Sequence, residues 1–159
     1  MTRTLLLAAL GCLGLIGPAA ADDDLAGCTN LLPHIERAAA AHGLEPALIA
    51  GVIHVESRFR NVVNRASGAR GYMQLMPATA RRMGCGDLDD VADNLDCGAR
   101  LLRNLLDRYD GGLLLALSGY HAGLKLPNEA RRDGRVPTNL SYLEKVLAAR
   151  TRLIREGCP

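Results

Sequence analysis

Apolar residues recur every three or four positions along most of this chain, which is typical of amphipathic helices. No segment alternates apolar and polar side chains in the way that a half-buried strand does. Prolines at first-turn positions and glycines after the last periodic residue divide the pattern into separate helices. The spacing predicts helices over Thr29–His42, Pro46–Glu56, Pro77–Met83, Asn94–Tyr109, Leu113–His121 and Leu140–Ile154.

The segments between these helices are predicted to be loops. Residues 58–72 and 124–137 are polar and hold several of the Gly, Pro and Asn residues that form turns, and Asp87–Asp93 is interpreted as a solvated acidic connection. On two of the helices, apolar stripes are expected to face inward: Leu101, Leu102, Leu105 and Leu106, then Leu143, Val146, Leu147 and Ile154. No internal repeat or low-complexity linker divides the chain, so we predict one mainly α domain.

Residues 1–21 are predicted to be a secretory signal peptide. Arg3 supplies a short positive region, Leu5–Ile16 is apolar but too short to span a bilayer, and small residues suited to cleavage follow. Cys12 also permits a lipoprotein interpretation, although the residues before it match that leader pattern poorly. We therefore expect residues 22–159 to form the exported domain.

The remaining composition limits the possible partners. Removing 21 of the 159 residues leaves 138, enough for one domain with a proper core. Loss of Arg3 leaves 18 of the 19 basic residues against 17 acidic ones, a formal net charge of +1. This balance predicts neither nucleic acid nor an acidic membrane as partner. No second apolar run is long enough to span a membrane.

Four cysteines follow residue 21, and an even number in an exported chain predicts disulfides. Three pairings are possible. The spacing favours Cys85–Cys97, which closes a short loop rich in Asp and Gly, and Cys28–Cys158, which ties the two ends together. Because no Cys-x-x-Cys pair occurs, a zinc site is not expected.

Glu56 is the most unusual residue of the helical pattern. Four apolar residues precede it on the same face of its helix: Leu48, Ile49, Val52 and Ile53. Burial and the negative end of the helix dipole both raise the pKa of such a carboxyl, as a general acid near neutral pH requires. A structural glutamate hydrogen-bonded to a loop would suit the same position, and the helix alone leaves both interpretations open.

Three segments carry a resemblance to a known family. Glu56-Ser-Arg-Phe is followed, twelve residues after the glutamate, by Gly68-Ala-Arg-Gly-Tyr-Met-Gln-Leu-Met-Pro-Ala-Thr-Ala; further on come Asn94-Leu-Asp-Cys-Gly and Leu115-Ala-Leu-Ser-Gly-Tyr-His-Ala-Gly. At this spacing the chain resembles the soluble lytic transglycosylase domain, which has the goose-type lysozyme fold. The resemblance implies a single lysozyme-like helical domain that acts on peptidoglycan glycan strands in the periplasm.

The resemblance also implies a role for each matching position. Glu56 would be the catalytic acid and base, and the hydroxyl of Tyr120 would lie near it. The positions that would line the sugar groove are Met73, Gln74, Met76, Tyr120 and His121. Without the motif, methionines on an apolar stretch are more often part of the core. The short length is similar to that of small exported members associated with secretion, pilus or conjugation machinery, so proteins of such machinery are implied as partners.

Three positions depart from the family pattern. Arg65 stands where the family usually has a serine that can hydrogen-bond the glutamate, and Ser67 is two residues out of register. An arginine beside Glu56 would lower the pKa of its carboxyl unless the side chain points to solvent. His121 replaces the usual Asn and is still able to donate a hydrogen bond to a sugar. Tyr72 replaces an apolar Leu.

The resemblance implies that Glu56 alone cuts the β-1,4 bond between MurNAc and GlcNAc and leaves a 1,6-anhydroMurNAc end, with neither metal nor organic cofactor. Two alternatives remain open at this point. A hydrolytic muramidase on the same fold would use one carboxylate of Asp87–Asp93 to activate water. A binding or assembly module would hold peptidoglycan without cutting it.

Overall fold

The computed structural model describes the backbone of residues 19–159 and the side chains of residues 23–159, and residues 1–18 lie outside the described part. The signal peptide falls mostly on those first residues and stays a prediction. Seven helices occupy the described part: α1 (Ala19–His42), α2 (Pro46–Ser57), α3 (Pro77–Met83), α4 (Val91–Arg108), α5 (Leu113–Ala122), α6 (Lys125–Arg132) and α7 (Leu140–Glu156). Among residues 19–159, β-type pairing is limited to two isolated antiparallel bridges, Val63–Arg70 and Arg70–Leu75. The mainly α fold class is confirmed.

None of these seven helices is both long enough and apolar enough to cross a membrane. The helix α1 begins well before the predicted Thr29, in an acidic segment that lacks an apolar period and in which tertiary contacts hold Asp24. Asp24 is buried, with His54 Nε2 2.9 Å and Arg152 Nη2 3.3 Å from its Oδ2. These pairs fasten the start of α1 to α2 and α7.

Two further predictions of local structure were wrong. The helix α4 begins at Val91, because Asp90 caps it by accepting hydrogen bonds from the backbone N–H groups of Ala92 and Asp93 at 2.8 and 3.0 Å. Part of the predicted loop 124–137 is the helix α6. Its Pro127 lies in the first turn, where proline is tolerated, and is buried together with Ala130.

The centre of the core lies where α2 packs on α7. Gly51 permits a close approach, since a Cβ there would lie 2.9 Å from the carbonyl oxygen of Val146. Ile49, Val52 and Ile53 of α2 are fully buried. On α7 the inward position belongs to Leu153, which follows Val146 by two helical turns, while the predicted Ile154 is 48% exposed.

Both favoured disulfides are present. Cys28–Cys158 joins α1 to the end of the chain, with the two Cα atoms 6.2 Å apart, and Cys85–Cys97 ties the end of α3 to α4, with the Cα atoms 5.7 Å apart. From loop entropy, the bridge that spans 130 residues contributes about 4–5 kcal/mol to stability and the one that spans 12 contributes about 3 kcal/mol.

Candidate active site

A groove crosses the surface beside the last turn of α2. Its central cavity, of about 320 Å³, is lined by Glu56, Gln74, Met76, Tyr120 and His121 among others. A cavity of about 550 Å³ adjoins it through Met76, Tyr120 and His121 on one side. A cavity of about 380 Å³, lined by Tyr142 and Lys145, adjoins it through Glu56 and His121 on the other. Glu56 therefore lies within the groove and not at its end.

Glu56 is half-buried, and its surroundings set the proton affinity of its carboxyl group. Burial raises the pKa of Glu56 above its ordinary value of 4.5, and this is the larger effect. The Tyr142 hydroxyl donates a 2.7 Å hydrogen bond to Oε1, which partly opposes the rise. The upward shift predicted from the apolar stripe of α2 is confirmed, with burial as its main cause.

Tyr142 is the functional-site residue that the sequence reasoning missed. It is buried in the first turn of α7 and lies 86 positions from its partner Glu56. Burial, and then the negative charge of Glu56, raise the pKa of Tyr142 far above its ordinary value. Its hydroxyl therefore stays protonated and acts as a donor to the carboxylate. The His121 ring stacks on the Tyr142 ring, with centroids 4.2 Å apart and planes 18° apart.

Tyr120 lines the central cavity together with Glu56, but its hydroxyl donates a 2.8 Å hydrogen bond to the carbonyl oxygen of Met73. Burial, and then the charge of Glu56, raise the pKa of Tyr120 well above its ordinary value. The effect of the Glu56 charge agrees with the expected position of Tyr120 near the glutamate, while the hydroxyl that hydrogen-bonds Glu56 is that of Tyr142. Tyr120 thus ties α5 to the loop that carries Met73.

The structure corrects the assignment of Met73 to the sugar groove. Its side chain is fully buried, and a Cβ on Gly98 of α4 would overlap its sulfur, so Met73 is a core residue. Met76 is 43% exposed and lines both the central cavity and the 550 Å³ cavity. Gln74 lines the central cavity, and its Nε2 also donates to the carbonyl oxygens of Val62 and Gly71 at 2.9 and 2.8 Å.

A buried amide holds the loop that carries these residues. Asn94, predicted to cap α4, lies instead within that helix and is fully buried. Its Oδ1 accepts a 2.9 Å hydrogen bond from the Met73 N–H, and its Nδ2 donates to the carbonyl oxygens of Arg70 and Leu88 at 3.1 and 2.9 Å. Gly71, with φ of +78°, passes so close that a Cβ would overlap the Asn94 amide.

Arg65 does not take the position that would weaken the acid. Its side chain is exposed, and the shift in the Glu56 pKa comes from burial and Tyr142. Ser67 lines the central cavity with Glu56, and its Oγ accepts a 3.3 Å hydrogen bond from the Ala69 N–H. His121 lines the groove, where burial lowers the pKa of its imidazole, so the ring is neutral at neutral pH.

Comparison with known proteins gives the family. The model described as "Transglycosylase SLT domain" matches residues 33–138, two thirds of the chain. The chain belongs to the transglycosylase SLT domain family. The matched range ends before α7, so Tyr142 of this SLT domain lies outside it.

This SLT domain is 37% identical over 123 residues to a transglycosylase of Enterobacteria phage PRD1, which covers 75% of this chain and 46% of that protein. It is 34% identical over 125 residues to membrane-bound lytic murein transglycosylase F of Desulfosudis oleivorans, covering 72% of this chain and 28% of that protein. The chain therefore spans less than half the length of these relatives.

Among solved structures, the SLT domain is similar to lytic transglycosylase Slt of Pseudomonas aeruginosa, in an inactive mutant with a glutamate-to-glutamine substitution. The two have a TM-score of 0.58 and 25% sequence identity, over 75% of this chain and 21% of that one. This likeness confirms the lysozyme-like helical fold.

Among the described side chains of residues 23–159, no carboxylate except Glu56 lines the groove of the SLT domain. The acidic side chains of 87–93 are engaged elsewhere. Asp89 pairs with Arg70, and Asp93 accepts a 2.8 Å hydrogen bond from the Asp87 N–H, while Asp90 caps α4. In the same part of the chain, no three His, Cys, Asp or Glu residues are grouped so as to hold a metal ion.

Proposed function

We propose that the protein is a peptidoglycan lytic transglycosylase that cuts the β-1,4 bond between MurNAc and GlcNAc. The observation that carries the proposal is Glu56, a half-buried carboxyl of raised pKa within a groove that has no other carboxylate among the described residues. The names of the relatives, among them a membrane-bound lytic murein transglycosylase, support the same substrate.

The first step uses Glu56 as a general acid. Because burial raises the pKa of its carboxyl, a larger fraction is protonated near neutral pH than for an exposed glutamate. Tyr142 donates to Oε1, so Oε2 is the oxygen that carries the proton. Glu56 gives this proton to the glycosidic oxygen as the bond from that oxygen to C1 of MurNAc breaks. The MurNAc acetamido group stabilises the positive charge that develops at C1.

The second step uses the same residue as a base. Glu56, now a carboxylate that accepts from Tyr142, takes the proton of the MurNAc C6 hydroxyl while O6 forms a bond to C1. One proton leaves Glu56 and one returns, so the acid is regenerated and no water is consumed. The product is a 1,6-anhydroMurNAc end. Tyr120 and Gln74 support the wall of the groove, and Met76 and His121 are proposed to contact the sugars.

The lack of a second carboxylate favours this route over hydrolysis. Hydrolytic glycosidases place two carboxyl groups about 5–9.5 Å apart, one of which activates water or attacks the sugar. The hydrolytic alternative requires a carboxylate of residues 87–93 in the groove. These side chains have structural partners instead: Asp90 caps α4, Asp89 pairs with Arg70, and Asp93 accepts from the Asp87 N–H. An internal nucleophile on the substrate removes the need for a second carboxyl.

We also propose that the protein acts in the cell envelope, in the periplasm, after cleavage of a signal peptide at residues 1–21. Two disulfides are typical of an exported protein, and relatives are named as membrane-bound murein transglycosylases. Local opening of the wall for a secretion, pilus or conjugation machine is the role that the family resemblance supports. Cross-linking in the envelope followed by mass spectrometry tests it, and recovery of no component of such a machine would contradict it.

The test is mass analysis of the muropeptides released by purified residues 22–159 and by the Glu56→Gln variant. We expect the wild type to release anhydro ends, which are lighter than hydrolytic ends by one water, and the variant to release almost nothing. Reducing ends alone would identify a hydrolase. Unchanged digestion by Glu56→Gln would remove Glu56 from the mechanism, and binding without digestion by the wild type would indicate a non-catalytic module.

A further inference from the structure

The groove is continued by a pocket between α2 and α7. This basic pocket, of about 480 Å³, is lined by His54, Val55, Arg58, Lys145, Ala148, Ala149 and Arg152. Val55 and Lys145 also line the cavity that holds Glu56 and Tyr142. A substrate group that leaves the groove past Tyr142 therefore reaches the basic pocket directly.

The charges of the basic pocket are not balanced from within. Its lining includes two arginines, a lysine and a histidine but no carboxylate. Arg152 is paired with Asp24 at 3.3 Å and with Glu156 at 3.4 Å, and the other contact of Asp24 is to His54 at 2.9 Å. Among the described side chains of residues 23–159, Arg58 and Lys145 form no salt bridge, although Arg58 also lines a neighbouring cavity with Asp23 and Asp24. These two cations are available to an acidic ligand.

Short side chains on α7 leave space in the basic pocket. Ala148 and Ala149 form a short, apolar part of its wall, so no long side chain of α7 fills the space. Arg58 caps the end of α2 with φ of 52°, and its N–H donates a 3.0 Å hydrogen bond to the His54 carbonyl oxygen. This fixes the backbone from which the Arg58 side chain extends.

The length of the wall suits a short peptide. The proposed contact Lys145 lies three residues beyond Tyr142 on α7, about 4.5 Å along the helix axis, and the far end of the pocket at Arg152 lies ten residues beyond Tyr142, about 15 Å. An extended peptide advances about 3.3–3.6 Å per residue, so roughly four residues cover the longer distance. In peptidoglycan a peptide of this order of length, with free carboxylates, is attached to the lactyl group of MurNAc. That sugar is the one on which Glu56 is proposed to act.

We propose that the basic pocket binds a carboxylate of the peptide attached to MurNAc, through Arg58 and Lys145. The protein then prefers peptide-bearing glycan strands over strands from which an amidase has removed the peptides. This inference rests on the proposed function, because it takes Glu56 to mark the place where MurNAc binds.

Binding in the Glu56→Gln background tests the inference without requiring turnover. We expect peptide-bearing glycan oligomers to bind about five- to tenfold more tightly than peptide-free oligomers of the same length, from one or two partly exposed charge-assisted contacts. Adding Arg58→Asn and Lys145→Gln removes both charges, and asparagine tolerates the left-handed backbone at position 58. The preference should then fall to within twofold of unity. Arg37→Gln with Arg81→Gln removes the same amount of charge from two exposed positions outside all these cavities, so this double substitution is the matched control and should keep the preference.

Equal binding of the two oligomers by the Glu56→Gln protein would overturn the inference. So would an equal loss of affinity for both oligomers in the double substitution, since that indicates general attraction and not recognition of the peptide. Circular dichroism of each variant separates these results from unfolding. If the wild type digests neither substrate, the proposed function fails, and the binding ratio still decides whether the pocket recognises the peptide.

Discussion

The Tyr142→Phe substitution tests how the site controls its acid. It removes one hydroxyl from a buried ring and leaves the stacking on His121 in place. The lost contact is a 2.7 Å hydrogen bond to the carboxyl of Glu56, and a hydrogen bond to a charged group contributes about 1.5–3 kcal/mol. Because this bond stabilises the carboxylate more than the neutral acid, its removal raises the pKa of Glu56.

The consequence is measurable in the pH dependence of kcat/KM on purified glycan. The alkaline limb reports loss of the proton from Glu56 in the free enzyme, so it should move to higher pH in Tyr142→Phe. We also expect kcat at the new optimum to fall about tenfold, which corresponds to about 1.4 kcal/mol of lost orientation of the carboxyl group.

Tyr120→Phe is the matched control, since its hydroxyl is bonded to the Met73 carbonyl and not to Glu56. Its alkaline limb should stay close to that of the wild type. A limb in Tyr142→Phe that stays in place or moves to lower pH would refute the reasoning, because the hydrogen bond to Glu56 would then not control its proton.

Two predictions concern stability. The pKa of Glu56 is higher in the folded state than in the unfolded state, so its contribution to folding stability is fully present below about pH 4.5 and is lost as the pH rises through the folded-state pKa. Glu56→Gln should therefore raise Tm relative to the wild type at pH 7 but not at pH 4. An equal difference in Tm at both pH values would contradict this. Gly71→Ala should cost several kcal/mol and abolish activity, because its Cβ would overlap the Asn94 amide at a φ of +78°. At Gly68, with φ of +79° and open space around it, alanine should cost only about 1–2 kcal/mol in urea unfolding, and similar losses at both positions would contradict the role given to Asn94.

Much of the helical architecture was predictable because its signals are local. The spans of α2, α3, α5 and α7 follow from proline, glycine and apolar spacing, and the structure places their ends within two residues of the predictions. The predictions failed where long-range contacts hold the chain, as in α1, and where a local signal was misread, as at the Asp90 cap of α4. The first turns of α1 depend on the pairing of Asp24 with His54 and Arg152, and the short helix α6 has only two buried residues.

In the candidate site, too, the residues with a local sequence signal were predicted and those placed by tertiary packing were not. Glu56 stands out in the sequence because a carboxylate on an apolar helical face is visible in the period of one helix. The location of Met73 could not be predicted, since the same motif position is compatible with a groove wall or with the core. Packing against Gly98 of α4 decides for the core, and no local pattern records that contact.

The sequence by itself determined the helical class, the favoured cysteine pairing and the single carboxyl group whose burial raises its pKa. Each of these depends on spacing along the chain or on one helical face. Only the tertiary structure decided which tyrosine hydroxyl reaches that carboxyl, that the acids of 87–93 lie outside the groove, and that Arg58 and Lys145 continue it. Tyr142 and Glu56 meet across 86 positions because α2 and α7 pack together at Gly51, and such proximity follows from packing and not from sequence period.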